Sequence, residues 1–169
     1  MSRAAIPDYA ELWCLSNFSF LRGASHAEEL VERARQLGYT AIAITDECSL
    51  AGIVRAHVAA KEAGIKLICG AQFEVGCDTA PFTLIVLGQN LNGYGNLAEF
   101  ITRLRRSSEK GTYRLARDEI EPAALLDCLV LASPRRGSTQ PQVTEVATWL
   151  DQRFGGRCWL AVQRLRVLS

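Results

Sequence analysis

A run of small and β-branched apolar residues at positions 41–44 leads into Thr45, Asp46 and Glu47, and this feature most constrains the fold. A helical pattern follows it, and a second strand-like run occupies positions 65–69. This order predicts a β-α-β unit with a carboxylate at the C-terminal end of its first strand. Because ligand-binding groups collect at that end of parallel strands, Asp46 marks the predicted cleft.

Strand-like and helical patterns alternate along most of the chain, which predicts a largely parallel α/β layer or barrel. We expect strands at positions 9–15, 39–45, 65–69, 73–75, 82–87, 129–132 and 158–162. We expect helices at positions 25–38, 49–64, 96–106 and 143–154. Ser25 and Glu28 form a predicted capping box for the first helix. Val54 and Val58 belong to the predicted buried stripe of the second helix.

The composition is typical of one globular domain, which we place at residues 1–169. The chain has 169 residues, 49% of them hydrophobic, and its formal net charge is +1. A charge so close to zero gives no overall attraction to nucleic acid or membrane. No apolar run reaches about 18 residues and no signal-peptide pattern opens the chain, so we expect a cytoplasmic protein without a membrane partner.

The cysteines are expected to be reduced and mostly buried, because no Cys-x-x-Cys pair occurs and no secretory signal precedes them. There are six of them, namely Cys14, Cys48, Cys69, Cys77, Cys128 and Cys158.

Three segments, at 11–31, 41–46 and 64–74, resemble the N-terminal PHP (polymerase and histidinol phosphatase) domain of bacterial C-family DNA polymerases. The likeness is strongest to the error-prone branch, a DNA polymerase III alpha-like subunit used in damage-tolerant repair synthesis. Its most specific part runs from Asn17 to Leu30, and segments 89–97 and 154–161 match further family blocks. The resemblance implies a partial, distorted (β/α)7 PHP-type barrel with mostly parallel strands. The strands run out before such a barrel closes, so we expect a domain truncated at its C-terminal end.

The resemblance also implies a metal site, and the matching positions depart from it. An active PHP site opens with a His-x-His motif, whose spacing sends both side chains to one face of a strand. Here those positions hold Trp13 and Leu15, which have no lone pair for a metal. The Gly-x-Glu motif ends on Gln72, and the Thr-Asp-His motif keeps Asp46 but ends on Glu47.

We therefore expect no catalytic residue and no metal or cofactor in this chain, since activation of water by a metal needs several ligands and an open position. Asp46 survives, and Glu47 and Glu74 are candidate substitutes. Asp46 is more simply interpreted as a structural acid that accepts hydrogen bonds from the first turn of the next helix. His26 and His57 are interpreted as surface or packing residues.

One basic concentration occurs near the end of the third predicted helix, and it comprises Arg103, Arg105, Arg106, Lys110, Arg114 and Arg117. It is consistent with weak contact to a DNA backbone or to another polymerase domain. The simpler interpretation is a solvated helix end whose cations complement the helix dipole.

The leading hypothesis is a non-catalytic, structural PHP module of an error-prone polymerase, with the rest of the polymerase or other repair-synthesis proteins as partners. The parent family is a DNA-directed DNA polymerase, but the chain shows no polymerase palm, fingers or thumb, so its own enzyme status stays open. One alternative is a stand-alone, metal-dependent PHP-type phosphoesterase that uses divalent cations. Another is a partner-binding α/β domain unrelated to polymerases.

Overall fold

The computed structural model describes residues 8–162 as a single six-stranded sheet with helices on its outside. The strands are β1 (Ala10–Glu11), β2 (Ala41–Ile44), β3 (Lys66–Val75), β4 (Phe82–Gly88), β5 (Cys128–Pro134) and β6 (Cys158–Leu160). The helices are α1 (Ala27–Gln36), α2 (Ile53–Ala63), α3 (Leu91–Arg106) and α4 (Gln140–Phe154), with 3-10 turns at Arg117–Glu119 and Pro122–Leu125. None of the helices in this part of the chain is long and apolar enough to cross a membrane.

The strands lie in the sheet in chain order, so that β1 and β6 form its two edges. β1, β2 and β3 are parallel, β4 is antiparallel to both of its neighbours, and β6 is parallel to β5. The sheet curls into a half-barrel. The expected α/β fold, a partial barrel with mostly parallel strands, is confirmed.

Alternation along β3 and β4 separates two faces of the sheet. Phe73 and Leu84 point into the main core, which α3 and α4 cover. Gln72 and Ile85, which are paired in register, lie on the opposite, inner face. The inner face carries an apolar cluster of Ala43, Ile85 and Leu87, with Trp13, Ile68, Leu129, Leu131 and Ala161 partly buried against it.

Two predicted elements near the N-terminus have different bounds in the structure. The strand expected at 9–15 is limited to Ala10–Glu11, where regular pairing with β2 stops. The chain still runs beside β2 beyond this point, since the backbone N–H of Thr45 donates to the carbonyl of Cys14 at 2.8 Å. The capping box of α1 lies one residue later than predicted, since Glu29 accepts a hydrogen bond from the backbone N–H of His26 at 2.7 Å.

The buried face of α2 was predicted only in part, since Ile53 is buried but two valines of the predicted stripe are not. The side chains of Val54 and Val58 are 71% and 53% exposed, whereas Ala56 and Ala60 are buried. The small alanines face α1, whose own buried residues include Ala27 and Val31, and they let the two helices approach closely. Helix α2 also begins at Ile53 rather than near Ser49.

Further bounds differ from the prediction, among them those of β3, α3 and β6. The runs at 65–69 and 73–75 belong to one strand, β3, which passes through Gly70. A Cβ at this position would lie only 2.7 Å from Leu87, so glycine permits the close approach of β4. Helix α3 begins at Leu91 because Asn90 caps the backbone N–H of Gly93. Strand β6 ends at Leu160, two residues early.

Candidate functional site

Four polar side chains meet where the strands end, on one side of the sheet. Asp46 and Glu47 follow β2, Glu74 lies near the end of β3, and Thr83 lies at the start of the antiparallel β4. The carboxyl ends of parallel strands lie on the same side of a sheet, which is why these residues come together. With Arg22 and Tyr113 they form what we call the strand-end cluster, and a cleft of ≈ 870 Å³ opens beside Glu47, Glu74 and Tyr113.

Asp46 is fully engaged with the loop that follows β1. Its carboxylate is buried, and it accepts three hydrogen bonds. The backbone N–H of Ser16 donates at 2.8 Å, the Ser16 hydroxyl at 2.6 Å and the Ser19 hydroxyl at 2.7 Å. The expected partner, the first turn of the next helix, is therefore replaced by a loop some 27–30 residues earlier in the chain. Asp46 binds the loop to the end of β2.

Arg22 lies between the two other carboxylates of the cluster. Its Nη1 donates to Glu47 at 2.6 Å and to Glu74 at 3.3 Å. Arg135 approaches the other oxygen of Glu74 at 3.8 Å. Burial lowers the pKa of Arg22, but its bonds to the two glutamates and their charges outweigh burial and leave the pKa above its usual value. The guanidinium therefore stays charged and supplies the cation that these carboxylates share.

Tyr113, in the segment that follows α3, connects the same carboxylates. Its hydroxyl donates to Glu47 at 2.9 Å and accepts the backbone N–H of Glu74 at 2.7 Å. Burial, reinforced by the neighbouring Glu47, raises the pKa of Tyr113. Thr83 donates to Glu74 at 3.0 Å. The side chains of Arg22, Tyr113 and Thr83 thus donate hydrogen bonds to the carboxylates of Glu47 and Glu74.

Trp13 and Gln72 contact each other on the inner face, next to the cluster. The indole N–H of Trp13 donates to Oε1 of Gln72 at 2.6 Å. Gln72 is completely buried, and its Nε2 has no hydrogen-bond partner among residues 8–162. Leu15, the other predicted motif position, is half-buried and lines a hollow of ≈ 470 Å³ together with Trp13 and Arg22.

These residues do not fit a cluster of divalent metals. Within residues 8–162 no three His, Cys, Asp or Glu side chains are placed to hold a metal ion. Two positions where the resemblance implies ligands hold the Trp13–Gln72 pair, and a third holds Leu15. A metal near Glu47 would also face the charge of Arg22, whose Nη1 lies 2.6 Å from the Glu47 carboxylate.

The basic residues of the third predicted helix do not act as one surface. Arg105 donates to the backbone oxygens of Glu47, Cys48 and Thr112, at 3.2–3.4 Å. Arg117 pairs with Glu145. Arg103, Arg105 and Arg106 lie in the last turn of α3, where the interpretation as a solvated, dipole-complementing helix end applies to Arg103 and Arg106. Arg105 is instead a clamp on the turn after Asp46.

Sequence reasoning missed Arg22, Tyr113 and the clamp role of Arg105. Arg22 lies 25 residues from Glu47 and 52 from Glu74, so no local pattern links them. The available signal was a basic residue inside the most family-specific segment, 17–30. Of the two histidines, His57 is exposed on α2 and His26 contacts Asn17 at 2.9 Å. All six cysteines are free thiols.

The comparisons with known proteins point in one direction. The family model described as "PHP domain" matches residues 11–163. The chain is 49% identical over 172 residues to the error-prone DNA polymerase of Bordetella parapertussis (strain 12822), covering 96% of this chain and 16% of that protein. It is 50% identical over 163 residues to the error-prone DNA polymerase of Dechloromonas aromatica (strain RCB), covering 94% and 15%. The chain thus spans about one sixth of the length of these curated relatives.

Solved structures show a similar fold. A protein described as a metal-dependent phosphoesterase of Bifidobacterium adolescentis superposes with a TM-score of 0.66 at 15% identity, over 92% of this chain and 77% of that one. An amidohydrolase of Chromobacterium violaceum, with bound SO4 and no metal, superposes with a TM-score of 0.69 at 13% identity, over 89% and 75%. At such identities the likeness concerns the fold.

Proposed function

The chain belongs to the PHP domain family, and from that premise we propose that it is the PHP module of an error-prone DNA polymerase, structural rather than hydrolytic. Its work would lie in DNA repair and damage-tolerant synthesis, and its partner would be the rest of the polymerase. The relatives support this proposal, because they are named error-prone DNA polymerases and match 94–96% of this chain.

The hydrogen bond between Trp13 and Gln72 is the observation that carries the structural role. It joins two positions at which an active PHP site would need an imidazole and a carboxylate. An indole N–H can only donate, and an amide is a neutral and weaker ligand than a carboxylate. The contact therefore gives these two positions a packing role on the inner face of the sheet.

Arg22 supports the same proposal from the electrostatic side. Two neighbouring carboxylates at the ends of strands repel each other, and a cation between them reduces this repulsion. In this chain the guanidinium of Arg22, a side chain of the protein itself, supplies that cation through ion pairs of 2.6 and 3.3 Å with Glu47 and Glu74. A structural module needs no exchangeable metal if its own side chain reduces the repulsion between these carboxylates.

Isothermal titration calorimetry with Mn²⁺ and Zn²⁺ tests the proposal. We expect no micromolar binding by the wild-type chain, and the same heats for Glu74→Gln, which lacks one carboxylate of the cluster. A Trp13→His/Leu15→His/Gln72→Glu variant is the positive control, because it restores the ligand types of an active site at three of the four altered motif positions, all except Glu47. A micromolar site in the wild-type chain that Glu74→Gln abolishes would contradict the proposal.

The alternative, a metal-dependent phosphoesterase with rearranged ligands, is favoured by one observation, namely that Glu47 and Glu74 line the cleft of ≈ 870 Å³. It predicts hydrolysis of p-nitrophenyl phosphate in the presence of Mn²⁺ and loss of that activity in Glu47→Ala. The structural proposal predicts no turnover above the metal-only blank in either protein.

A further inference from the structure

The segment between β1 and α1 is a closed loop with a fixed backbone. Its ends are joined by the backbone N–H of Asn17, which donates to the carbonyl of Ser25 at 2.8 Å. Inside it, the N–H groups of Arg22 and Gly23 both donate to the carbonyl of Ser19 at 2.9 Å. A Cβ at Gly23 would lie 2.0 Å from the carbonyl oxygen of Ser16, so the loop closes too tightly for any other residue there.

Anchors on both sides of the tip hold this loop against the sheet. Before the tip, Ser16 and Ser19 donate to the buried carboxylate of Asp46. After it, Arg22 is bound to Glu47 and Glu74. The strand-end cluster, which does not offer a metal site, is thus occupied with positioning the loop.

The tip itself exposes apolar side chains. Phe20 and Leu21 are 83% and 89% exposed, and Phe18 is 41% exposed. Leu21 has a φ of 60°, in the left-handed region that a leucine rarely adopts. Single exposed apolar residues are ordinary, but two adjacent ones on a rigid, strained tip are typical of a preorganised docking element.

We propose that Phe20 and Leu21 insert into an apolar pocket on the part of the polymerase that lies outside this region. This inference rests on the proposed function. The aligned region is 16% of the length of the Bordetella relative, so most of that polypeptide lies outside it. The rest of that polypeptide belongs to the same molecule as the aligned region, so each copy has one partner. The chemistry favours protein over DNA, because residues 18–21 carry no charge and Arg22 is committed to two glutamates.

The docking element also explains why the most family-specific segment, 17–30, contains two of the most exposed apolar side chains of the described residues. Residues that serve only the core would be buried. An aromatic and an aliphatic anchor held in place lose little conformational entropy when they bind, which is the pattern of an interface hot spot.

Photo-crosslinking in a full-length polymerase tests this docking. The Bordetella parapertussis polymerase would carry this chain in place of its aligned region, with p-benzoylphenylalanine at position 20. A matched version would carry it at Leu91, which is 84% exposed at the start of α3. We expect irradiation to crosslink position 20, at least ten times more than position 91, to peptides downstream of the replaced region of the same molecule.

Crosslinks from position 20 to a second copy of the polymerase, crosslinks to DNA, or none above the position 91 level would each overturn the docking. A Phe20→Ser/Leu21→Asn variant of the 169-residue chain separates docking from a folding role. Its melting temperature is expected to equal or exceed that of the wild-type chain, and a marked drop would overturn the inference. Metal binding by the chain would instead count against the proposed function and leave the crosslinking result intact.

Discussion

Trp13 donates its indole N–H to the buried side-chain oxygen of Gln72 across 59 residues of sequence, at a distance of 2.6 Å. A buried amide oxygen that loses its donor costs about 1–3 kcal/mol. We therefore expect Trp13→Phe to lower the free energy of unfolding by about 2 kcal/mol.

The same contact predicts coupling between the two residues. Gln72 has a second buried polar atom without a partner among residues 8–162, so Gln72→Leu removes two polar groups at once. In a double-mutant cycle measured by urea unfolding, Trp13→Phe should cost about 1 kcal/mol less when Gln72 is already leucine. Strict additivity of the two substitutions would show that the hydrogen bond contributes nothing.

Substitution of Asp46 should lower the stability of the fold. Asp46→Ala leaves the Ser16 N–H and two serine hydroxyls without their buried acceptor, and we expect a loss of about 3 kcal/mol or more. Asp151→Ala, an exposed carboxylate on α4, is the matched control and should change stability by about 0.5 kcal/mol at most. Chemical denaturation of both variants checks this, and equal effects would refute the anchoring role of Asp46.

Arg105 and Arg106 are adjacent in sequence but differ in their contacts. Arg105 donates to backbone oxygens of Glu47 and Cys48 and lies 5.5 Å from the ring centre of Tyr113, whereas Arg106 is exposed. Arg105→Ala should lower the unfolding free energy by about 2 kcal/mol, and Arg106→Ala by under about 0.5 kcal/mol. Thermal melts of the two variants give the comparison, and the reverse order would exclude the clamp.

Alkaline pH should destabilise the fold through its thiols. Burial raises the pKa of Cys14, Cys48 and Cys128 to about 11 from an ordinary value of 9.0. Between these values the unfolded chain has released protons that the folded chain still holds, so stability falls as pH rises from 9 towards 11.

Urea unfolding at pH 8, 9 and 10 measures this effect. Cys14→Ala should reduce the loss of stability above pH 9. Cys77→Ala is the control and should not reduce the loss, because the hydrogen bond of Cys77 with the Thr79 hydroxyl, with further hydrogen bonds to the backbone, lowers its pKa. A thiol with a lowered pKa in the folded chain gains stability as pH rises, so Cys77 opposes the loss. A loss of stability that is the same in the wild-type chain and in Cys14→Ala would contradict the assignment.

The sequence predicted those parts of the fold that local patterns encode. The β-α-β unit around Asp46 and the helix ending before Gly155 follow from periodicity and from residues at element ends. The buried face of α2 could not be predicted from hydrophobicity, because Ala56 and Ala60 are buried by a close helix contact while the larger Val54 is exposed.

The site was predictable at the level of residue types. The losses at Trp13 and Gln72 were evident from the motifs, but their mutual hydrogen bond was not, because 59 residues separate them. The same holds for Arg22 and Glu74, which are 52 residues apart. Such contacts depend on strand order and register, which the local patterns used for the prediction do not reveal.

The structural, metal-free role of the strand-end cluster is tested most directly by anomalous X-ray diffraction from crystals of the chain grown with Mn²⁺ or Zn²⁺, recorded at the absorption edge of the metal. We predict no anomalous peak at the strand-end cluster, with Arg22 between Glu47 and Glu74 and the Trp13–Gln72 hydrogen bond intact. Anomalous peaks from metal ions bound by Asp46, Glu47 or Glu74, with Arg22 displaced, would contradict this prediction.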